Sequence, residues 1–462
     1  MIDAWDVYLR STEGKPVSES EFDLQILPMR LMELAKEYDI TYDPEVVIPS
    51  DRGLFKSVFE AAITLLVDVG FLNTSTGRII AFDEYELRKD LRLLPGEYRV
   101  GEGNDAYCVK RRDLEDKSLP TIVSGPTGAP LTEEYFIPIM QSYAMEPSVK
   151  EMHTATLLTI NDHEIKSRTT AEMMAARREI TLTREATRRA GRPGLGITGT
   201  MSGTTSEAQC FGYGPDALRS GCDRLLVSML NELKVDWDVL KKALFAQQNN
   251  LGIANCMGPV LGGYMGGPET TLIGHTAECI ASFSLLGGPS INHTLPNDAA
   301  TGHKIFSENI FAMAGTIATL AEHTKAVSTP YCSPASGMAT ENFIYEIAAQ
   351  AGMFAACGSG SVLGANGSNG AEIDAYSGMN ARILDESLKA FLGKSLEETN
   401  EIVIELIKHY GGDDVMNYTQ QPPKRFHEVY NLKTLKPSNE FVDLWENAKA
   451  NMEATTSLDF FE

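Results

Sequence analysis

The sequence has few of the residue patterns that bind metals or form disulfide frameworks. Its seven cysteines are scattered between Cys108 and Cys357 without a Cys-x-x-Cys pair, which argues against a zinc ribbon, an iron–sulfur cluster or a set of disulfides. Its eight histidines include no His-x-His and no His-x-x-x-His spacing, although helical zinc sites use such pairs. We therefore predict that the protein binds no metal.

Positive charge and long apolar runs are also scarce. The 40 lysines and arginines face 63 acidic residues, which gives a net charge of −23 and disfavours nucleic acid and anionic membranes as partners. The best apolar stretch, residues 61–67, ends at Asp68 and is too short to cross a bilayer. We expect a cytoplasmic protein with neither an export signal nor a membrane partner. The excess acid suits a cationic substrate, a partner with a basic face, or solubility alone.

The rhythm of the chain indicates an α/β protein. From about Pro120, short apolar runs such as 121–123 alternate with helical patterns such as 170–190, which stops at Gly191; a further strand is predicted at 155–160. This alternation predicts parallel strands joined by helices. Before it, Asp51 and Gly70 bracket a predicted helix as its caps.

Residues 191–199 read Gly-Arg-Pro-Gly-Leu-Gly-Ile-Thr-Gly and contain a Gly-x-Gly-x-x-Gly pattern. A dinucleotide-binding loop would follow a strand and open a helix, whereas here an arginine-rich helical stretch comes first. We therefore reject that interpretation. The glycines instead let the backbone approach a flat ligand, which makes Gly194, Gly196 and Gly199 candidate cofactor contacts, or they place Thr198 at a strand end.

Residues 191–199 resemble the segment in which corrinoid-dependent monomethylamine methyltransferases carry pyrrolysine, and Thr198 stands at that position. The likeness continues in the same order through residues 124–130, 141–144, 230–234, 262–267, 378–382 and 429–434. The resemblance implies a (β/α)8 TIM barrel with an N-terminal helical extension. We place a mostly helical extension at residues 1–119 and the barrel with its C-terminal helices at 120–462.

The resemblance also implies what has changed in the active site. An ungapped comparison puts Cys256 and Leu226 where the family has two glutamates, and a family glutamine falls near Thr329 or Pro330. We take Thr198 and Cys256 as catalytic candidates. A threonine hydroxyl cannot replace the electrophilic imine of pyrrolysine, so capture of monomethylamine is predicted to be lost.

A quaternary ammonium or similar onium methyl donor needs less activation, because its leaving group departs neutral without a proton. Aromatic faces can bind such a cation. We select Tyr264 and Tyr331, with Tyr213 and Phe211 as further aromatic candidates. Glu207 and Glu269 are the predicted countercharges, and Asn255 is a predicted polar contact.

The family resemblance implies a corrinoid as methyl acceptor. A chain that holds its own cobalamin through a histidine needs an Asp-x-His-x-x-Gly segment, and the nearest match, Asp162-His163, has the wrong spacing. We therefore expect a corrinoid carried by a cognate partner protein, none bound tightly by this chain, and a homo-oligomer, with a hexamer as the expected form, in methylamine metabolism and methanogenesis. Two alternatives stay open: demethylation of another N-methyl or O-methyl donor, and a non-catalytic barrel that binds a corrinoid protein.

Overall fold

The centre of the computed structural model, which describes residues 2–460, is a closed barrel of eight parallel strands. Each strand pairs with the next along the chain, and the last pairs with the first. The strands are β1 Thr121–Ser124, β2 Val149–His153, β3 Gly196–Gly199, β4 Arg224–Ser228, β5 Gly252–Met257, β6 Ser290–Thr294, β7 Val327–Cys332 and β8 Ser361–Gly364. The predicted (β/α)8 barrel is confirmed.

One helix follows each strand and forms the outer layer. In chain order these helices are Glu133–Ala144, Thr170–Arg189, Ser206–Phe211, Trp237–Gln248, Pro268–Leu286, Ser307–His323, Glu341–Ala356 and Gly378–Ala390. The helices after β5, β6 and β7 are apolar around most of their circumference and almost completely buried, as expected of helices covered on both sides. Their outer cover includes Leu396–Tyr410 and Asn439–Thr455, which follow the barrel with the short Phe426–Val429.

The first part of the chain packs beside the barrel. Its helices are Ala4–Glu13, Glu19–Glu21, Leu27–Glu37, Arg52–Val69 and Glu84–Leu93, with one π-helical turn at Phe22–Ile26. Helix Arg52–Val69 lies against the helices after β5 and β6. Its predicted caps are confirmed: Asp51 accepts from the Gly53 amide at 2.7 Å, and Gly70 has a φ of +71°.

Short paired strands lie outside the barrel. Phe71–Asn73 pairs with Arg78–Ile80 and with Lys234–Val235. The other pairs are Glu97–Val100 with Tyr107–Lys110, Pro130–Leu131 with Thr156–Leu157, Thr159–Ile160 with His163–Glu164, Val260–Leu261 with Asn297–Asp298, and Tyr430–Asn431 with Lys436–Pro437. The strand predicted at 155–160 is therefore wrong as a barrel strand. The barrel uses Val149–His153, in which the buried Glu151 and His153 interrupt the apolar pattern. Two single 3-10 turns occupy Gly103–Asp105 and Ser368–Gly370.

The hairpin Glu97–Val100/Tyr107–Lys110 covers the amino-terminal end of the barrel. Gly101 donates to the Cys222 carbonyl and Glu102 donates to the Gly194 carbonyl, each at 2.8 Å, and both acceptors lie just before a barrel strand. Val100 and Val109 pack against Val327 at the start of β7. The hairpin does not cover the carboxyl-terminal end of the barrel. Barrel enzymes carry their chemistry at that end.

Buried carboxylates on the outer helices hold the loops at that second end. Glu179 accepts from the Met201 amide at 2.6 Å, and Glu346 accepts from the Ser336 amide at 2.9 Å. Glu278 accepts from two loop amides after β4, that of Glu232 and, at 3.0 Å, that of Leu233. Burial outweighs these hydrogen bonds and raises the pKa of Glu179 and of Glu346 to about 7. The helix layer therefore fixes the loops that surround the barrel mouth.

Within residues 2–460, no helix combines the length and apolarity that a membrane crossing requires.

Candidate active site

A closed polar network fills the lower barrel interior. Glu151 on β2 accepts from the hydroxyl of Thr198 on β3 and from Arg224 Nη1 on β4, the latter at 3.3 Å from Oε1. The guanidinium lies 4.3 Å from the ring centroid of Tyr98 in the hairpin and donates to the Ile253 carbonyl at 3.2 Å. Glu151 and Arg224 are both almost fully buried, and each is the counterion of the other. The network therefore leaves no net charge in this layer.

A second group of side chains lies towards the carboxyl-terminal end. Cys256 on β5 is level with Asn292 on β6, and Lys304, from the loop after β6, places its ammonium 5.7 Å from the Tyr331 ring centroid. The Tyr331 hydroxyl accepts from Asn366 Nδ2 at 2.7 Å. Burial lowers the pKa of Lys304 to about 8, against the opposing effect of the Cys256 thiol, and burial raises the pKa of Cys256. We call these five residues the mouth cluster.

Several buried polar atoms of the interior have no protein partner within residues 2–460. They are both amide atoms of Asn292, both ring nitrogens of His153 and the amide oxygen of Asn366. Side chains alternate along a strand, so Asn292 shares the inward face with Ser290, which accepts from Arg224, and His153 shares it with Glu151. Buried polar groups are nearly always hydrogen-bonded. These unpaired hydrogen-bonding atoms therefore indicate that the barrel interior can bind a ligand.

The barrel brings together four of the positions selected from the sequence. Thr198 is fully buried on β3, Leu226 is inside β4 and 9 % exposed, Cys256 is half-buried on β5, and Tyr331 is 8 % exposed on β7. Thr198 does not present its hydroxyl to the mouth, because Glu151 accepts it. The Cys256 thiol and Tyr331 belong to the mouth cluster.

Other selected residues lie away from the interior. Asn255 points to the helix layer, where its amide donates to the Gly287 carbonyl at 3.0 Å. Tyr264 is 42 % exposed, and its ring is 5.5 Å from the Lys234 ammonium. Glu207 is exposed beside Lys241, at 3.4 Å. Their placement does not support the predicted substrate contacts.

Glu269 and two further aromatic candidates are also outside the mouth cluster. Glu269 is half-buried in the first turn of its helix, where a negative charge is favoured by the helix dipole. Tyr213 packs edge-on against Phe245, and Phe211 is 46 % exposed. Ordinary packing and surface roles account for these three positions.

The three candidate cofactor glycines serve close packing instead. A Cβ on Gly194 would lie 2.3 Å from the Glu102 carbonyl oxygen, and one on Gly196 would lie 2.8 Å from the Gly101 nitrogen. Both therefore contact the hairpin that covers the closed end of the barrel. A Cβ on Gly199 would meet the helix residue Ile180 at 2.5 Å. Close packing accounts for these glycines, and their role as contacts to a flat ligand stays a prediction.

A histidine relay lies between the barrel and its helices. His275 is inside helix Pro268–Leu286; its Nδ1 is 3.3 Å from Glu278 and its Nε2 is 3.3 Å from Nδ1 of His293. His293 Nε2 is 2.6 Å from the Ser328 hydroxyl. Cys279 lies close enough to His275 and His293 for the three side chains to share an ion. The two histidines are too far apart in the sequence to form a His-x-His or His-x-x-x-His pair. Every ring nitrogen of the relay already has a partner, and the absence of a metal stays a prediction.

Sequence reasoning missed Lys304, Asn292 and the Glu151–Arg224 pair. Arg224 carried a signal, since a charged residue directly before the apolar run of β4 is unusual for a fully buried parallel strand. Lys304 carried none, because it lies in a polar loop and only the closure of the barrel brings it beside Cys256 and Tyr331.

Comparisons with known proteins agree with this architecture. Residues 2–456 match the family model described as monomethylamine methyltransferase MtmB. The chain is 30 % identical to monomethylamine methyltransferase MtmB1 of Methanosarcina acetivorans and to MtmB of Methanosarcina mazei, covering 98 % of this chain and 97 % of each relative. The crystal structure of Methanosarcina barkeri MtmB and that of a hydroxylamine complex of MtmB superpose with TM-scores of 0.95 at 28 % identity, over 99 % of both chains.

Proposed function

The chain belongs to the monomethylamine methyltransferase MtmB family, and we propose that it is a methyltransferase that works without pyrrolysine. The methyl donor is a small methylated amine or quaternary ammonium compound, and the acceptor is the cobalt of a corrinoid carried by a partner protein. The observation that supports this most is the joint replacement at three interior positions. Thr198, Cys256 and Leu226 all lie inside the barrel, where an adduct-forming residue and two acids would serve amine capture.

The reduced corrinoid supplies a strong nucleophile for the methyl carbon. The task left to this chain is to hold the donor in line and to exclude water. Asn292, Tyr331 and Asn366 of the mouth cluster, together with His153, offer neutral hydrogen-bonding groups for that purpose, and Leu226 offers an apolar wall. Burial, then the nearby Arg224, lowers the pKa of His153 well below its ordinary value, so His153 is uncharged at neutral pH. No proton donor is needed for a quaternary ammonium, whose leaving group departs as a neutral amine.

We also place the partner at the carboxyl-terminal end of the barrel. The hairpin Glu97–Val100/Tyr107–Lys110 covers the other end, so a corrinoid domain that reaches the donor must approach from the mouth. A cytoplasmic location and a homo-oligomer, with a hexamer as the expected form, complete the proposal; light scattering of the purified protein tests the latter.

The deciding experiment mixes the full chain with a cobalt(I) corrinoid protein and follows the cobalt spectrum. A panel of mono-, di- and trimethylamine, quaternary ammonium compounds, N-methyl heterocycles and methoxy compounds is offered in turn. We expect methylation of cobalt from a quaternary ammonium donor and none from monomethylamine. Monomethylamine as the best donor would overturn the argument from joint loss. Donor-independent binding of the corrinoid protein without any methylation would establish the non-catalytic alternative.

A further inference from the structure

Lys304 is a buried cation without a counterion. Its side chain is 7 % exposed, and within residues 2–460 its ammonium forms no ion pair and no hydrogen bond. The Tyr331 ring centroid lies 5.7 Å from the ammonium, and the Cys256 thiol is near enough to act on it electrostatically. An ammonium removed from water is unfavourable unless it is paired. A folded protein keeps such a charge where a function requires it.

Within residues 2–460, no acidic side chain forms an ion pair with Lys304. Glu151 already pairs with Arg224 and accepts from Thr198. The thiol of Cys256, the phenol of Tyr331 and the amide of Asn292 are neutral members of the same mouth cluster, and Lys242, which also acts on the Cys256 thiol, is another buried cation. This part of the barrel interior therefore carries positive charge in excess.

This excess charge conflicts with a donor that is a bare cation. A methylammonium or tetramethylammonium ion in the pocket would meet a like charge in a medium where charges are weakly screened. A donor that also carries one negative charge would meet the lysine with its anionic end. Its methylated nitrogen would then lie away from Lys304, towards the side of β2 to β4, where Thr198, His153 and Leu226 carry no charge.

We infer that Lys304 forms an anion subsite of the donor pocket, and that the methyl donor is a zwitterion in which an N-methylated ammonium is joined to a carboxylate. The inference rests on the proposed function, since it names the substrate class of the same site. The Lys304 ammonium can pair with a carboxylate through a charge-assisted hydrogen bond. The amide of Asn292, which has no protein partner, can donate a further hydrogen bond to such a group.

Binding to the full chain tests the inference without any corrinoid. Calorimetry compares trimethylammonio-alkanoates having one to three methylenes with the trimethylammonio alcohols of the same length. We expect the native protein to prefer the acids, and Lys304→Met to weaken acid binding by about tenfold or more, as expected for loss of a charged hydrogen bond. Alcohol binding should not weaken. Lys304→Arg should retain a preference for the acids, and the surface variant Lys408→Met, outside the barrel, should behave as the native protein.

The melting temperature separates a binding role from a structural one. Lys304→Met removes an unpaired buried charge, so it should melt at the same temperature as the native protein or higher. A variant that melts lower and loses both ligand series would assign Lys304 a structural role and overturn the inference. Equal binding of acids by the native protein and by Lys304→Met would also overturn it.

Methyl transfer, measured separately, distinguishes this inference from the proposed function. Binding of acids that depends on Lys304, without methylation of cobalt from any donor, would support the subsite and defeat the proposed function. Methylation from cationic or uncharged donors that is unchanged in Lys304→Met would support the proposed function and defeat the subsite. Methylation from a zwitterion that falls in Lys304→Met and persists in Lys408→Met would support both.

Discussion

The Thr198 hydroxyl donates to Glu151, the same buried carboxylate that accepts from Arg224. The residue that the sequence resemblance aligns with the family's pyrrolysine is thus hydrogen-bonded into the barrel core. Its hydroxyl is not available to a donor at the mouth. Thr198 is therefore part of the interior network, and we predict that it acts as a spacer below the donor.

Removing this hydroxyl should cost stability more than chemistry. Thr198→Val leaves Glu151 with one donor fewer in a buried layer, which we expect to lower the free energy of unfolding by about 1–3 kcal/mol. Thr198→Ser keeps the donor and should stay close to the native protein. Urea unfolding measures the difference. A Thr198→Val variant as stable as the native protein, with methyl transfer abolished, would instead show that the hydroxyl meets the donor.

The Glu151–Arg224 pair should tolerate joint removal better than single removal. Arg224→Met leaves a buried carboxylate unpaired and is expected to destabilise the fold by about 3–5 kcal/mol. The double variant Glu151→Gln/Arg224→Met carries no charge in that layer and should recover part of the loss. The free energies of unfolding from a full double-mutant cycle provide the test. Additive effects of the two substitutions would contradict direct coupling of the two side chains.

Lys304 should make stability depend on alkaline pH. Its folded-state pKa of about 8 is below the ordinary 10.5, so the unfolded chain binds more protons between these values and stability rises with pH in that window. Lys304→Met should be more stable than the native protein at pH 7, by an amount on the order of 3 kcal/mol at most. This advantage should shrink between pH 8 and 10.5. A constant difference across that range, measured by denaturant unfolding, would show that Lys304 does not titrate there.

Restoring an acid beside Lys304 should reverse the charge preference of the pocket. In Cys256→Glu the new carboxylate can pair with the lysine, so binding of a zwitterionic donor should fall, whereas Cys256→Gln, of similar size but neutral, should retain it. Calorimetry measures the binding of the same trimethylammonio acids to the two variants. If both variants lost binding equally, size at position 256 and not charge would control the pocket.

Purified protein should hold no stoichiometric zinc. The His275–His293 relay already satisfies both imidazoles through Glu278 and Ser328, so an ion would have to displace existing hydrogen bonds. Elemental analysis after purification without chelators checks this. A content near one zinc per chain that disappears in Cys279→Ala would refute it and assign the site to His275, Cys279 and His293.

Local features of this fold could be predicted from the sequence, whereas contacts between distant segments could not. Caps, glycine stops and the alternation of short apolar runs with helices predicted the helices and several strands, because each signal is local. The interior was harder to predict, because a barrel strand is buried on both faces and its pattern does not reveal which residues point inward. Asn255 and Cys256 are neighbours, yet one contacts the helix layer and the other the mouth cluster. The role of Lys304 depends on a contact between distant loops and strands, which no local pattern encodes.

The buried carboxylates that hold the mouth loops have a consequence for how such a barrel diversifies. Glu179, Glu278 and Glu346 belong to the helices and do not line the mouth cluster, so the frame of the mouth and its chemistry reside in separate sets of residues. A lineage can exchange the side chains that meet the donor while it inherits the frame unchanged. The same separation is useful for laboratory evolution. A library confined to Cys256, Asn292 and Lys304 would sample new methyl donors while the loops around the mouth keep their positions.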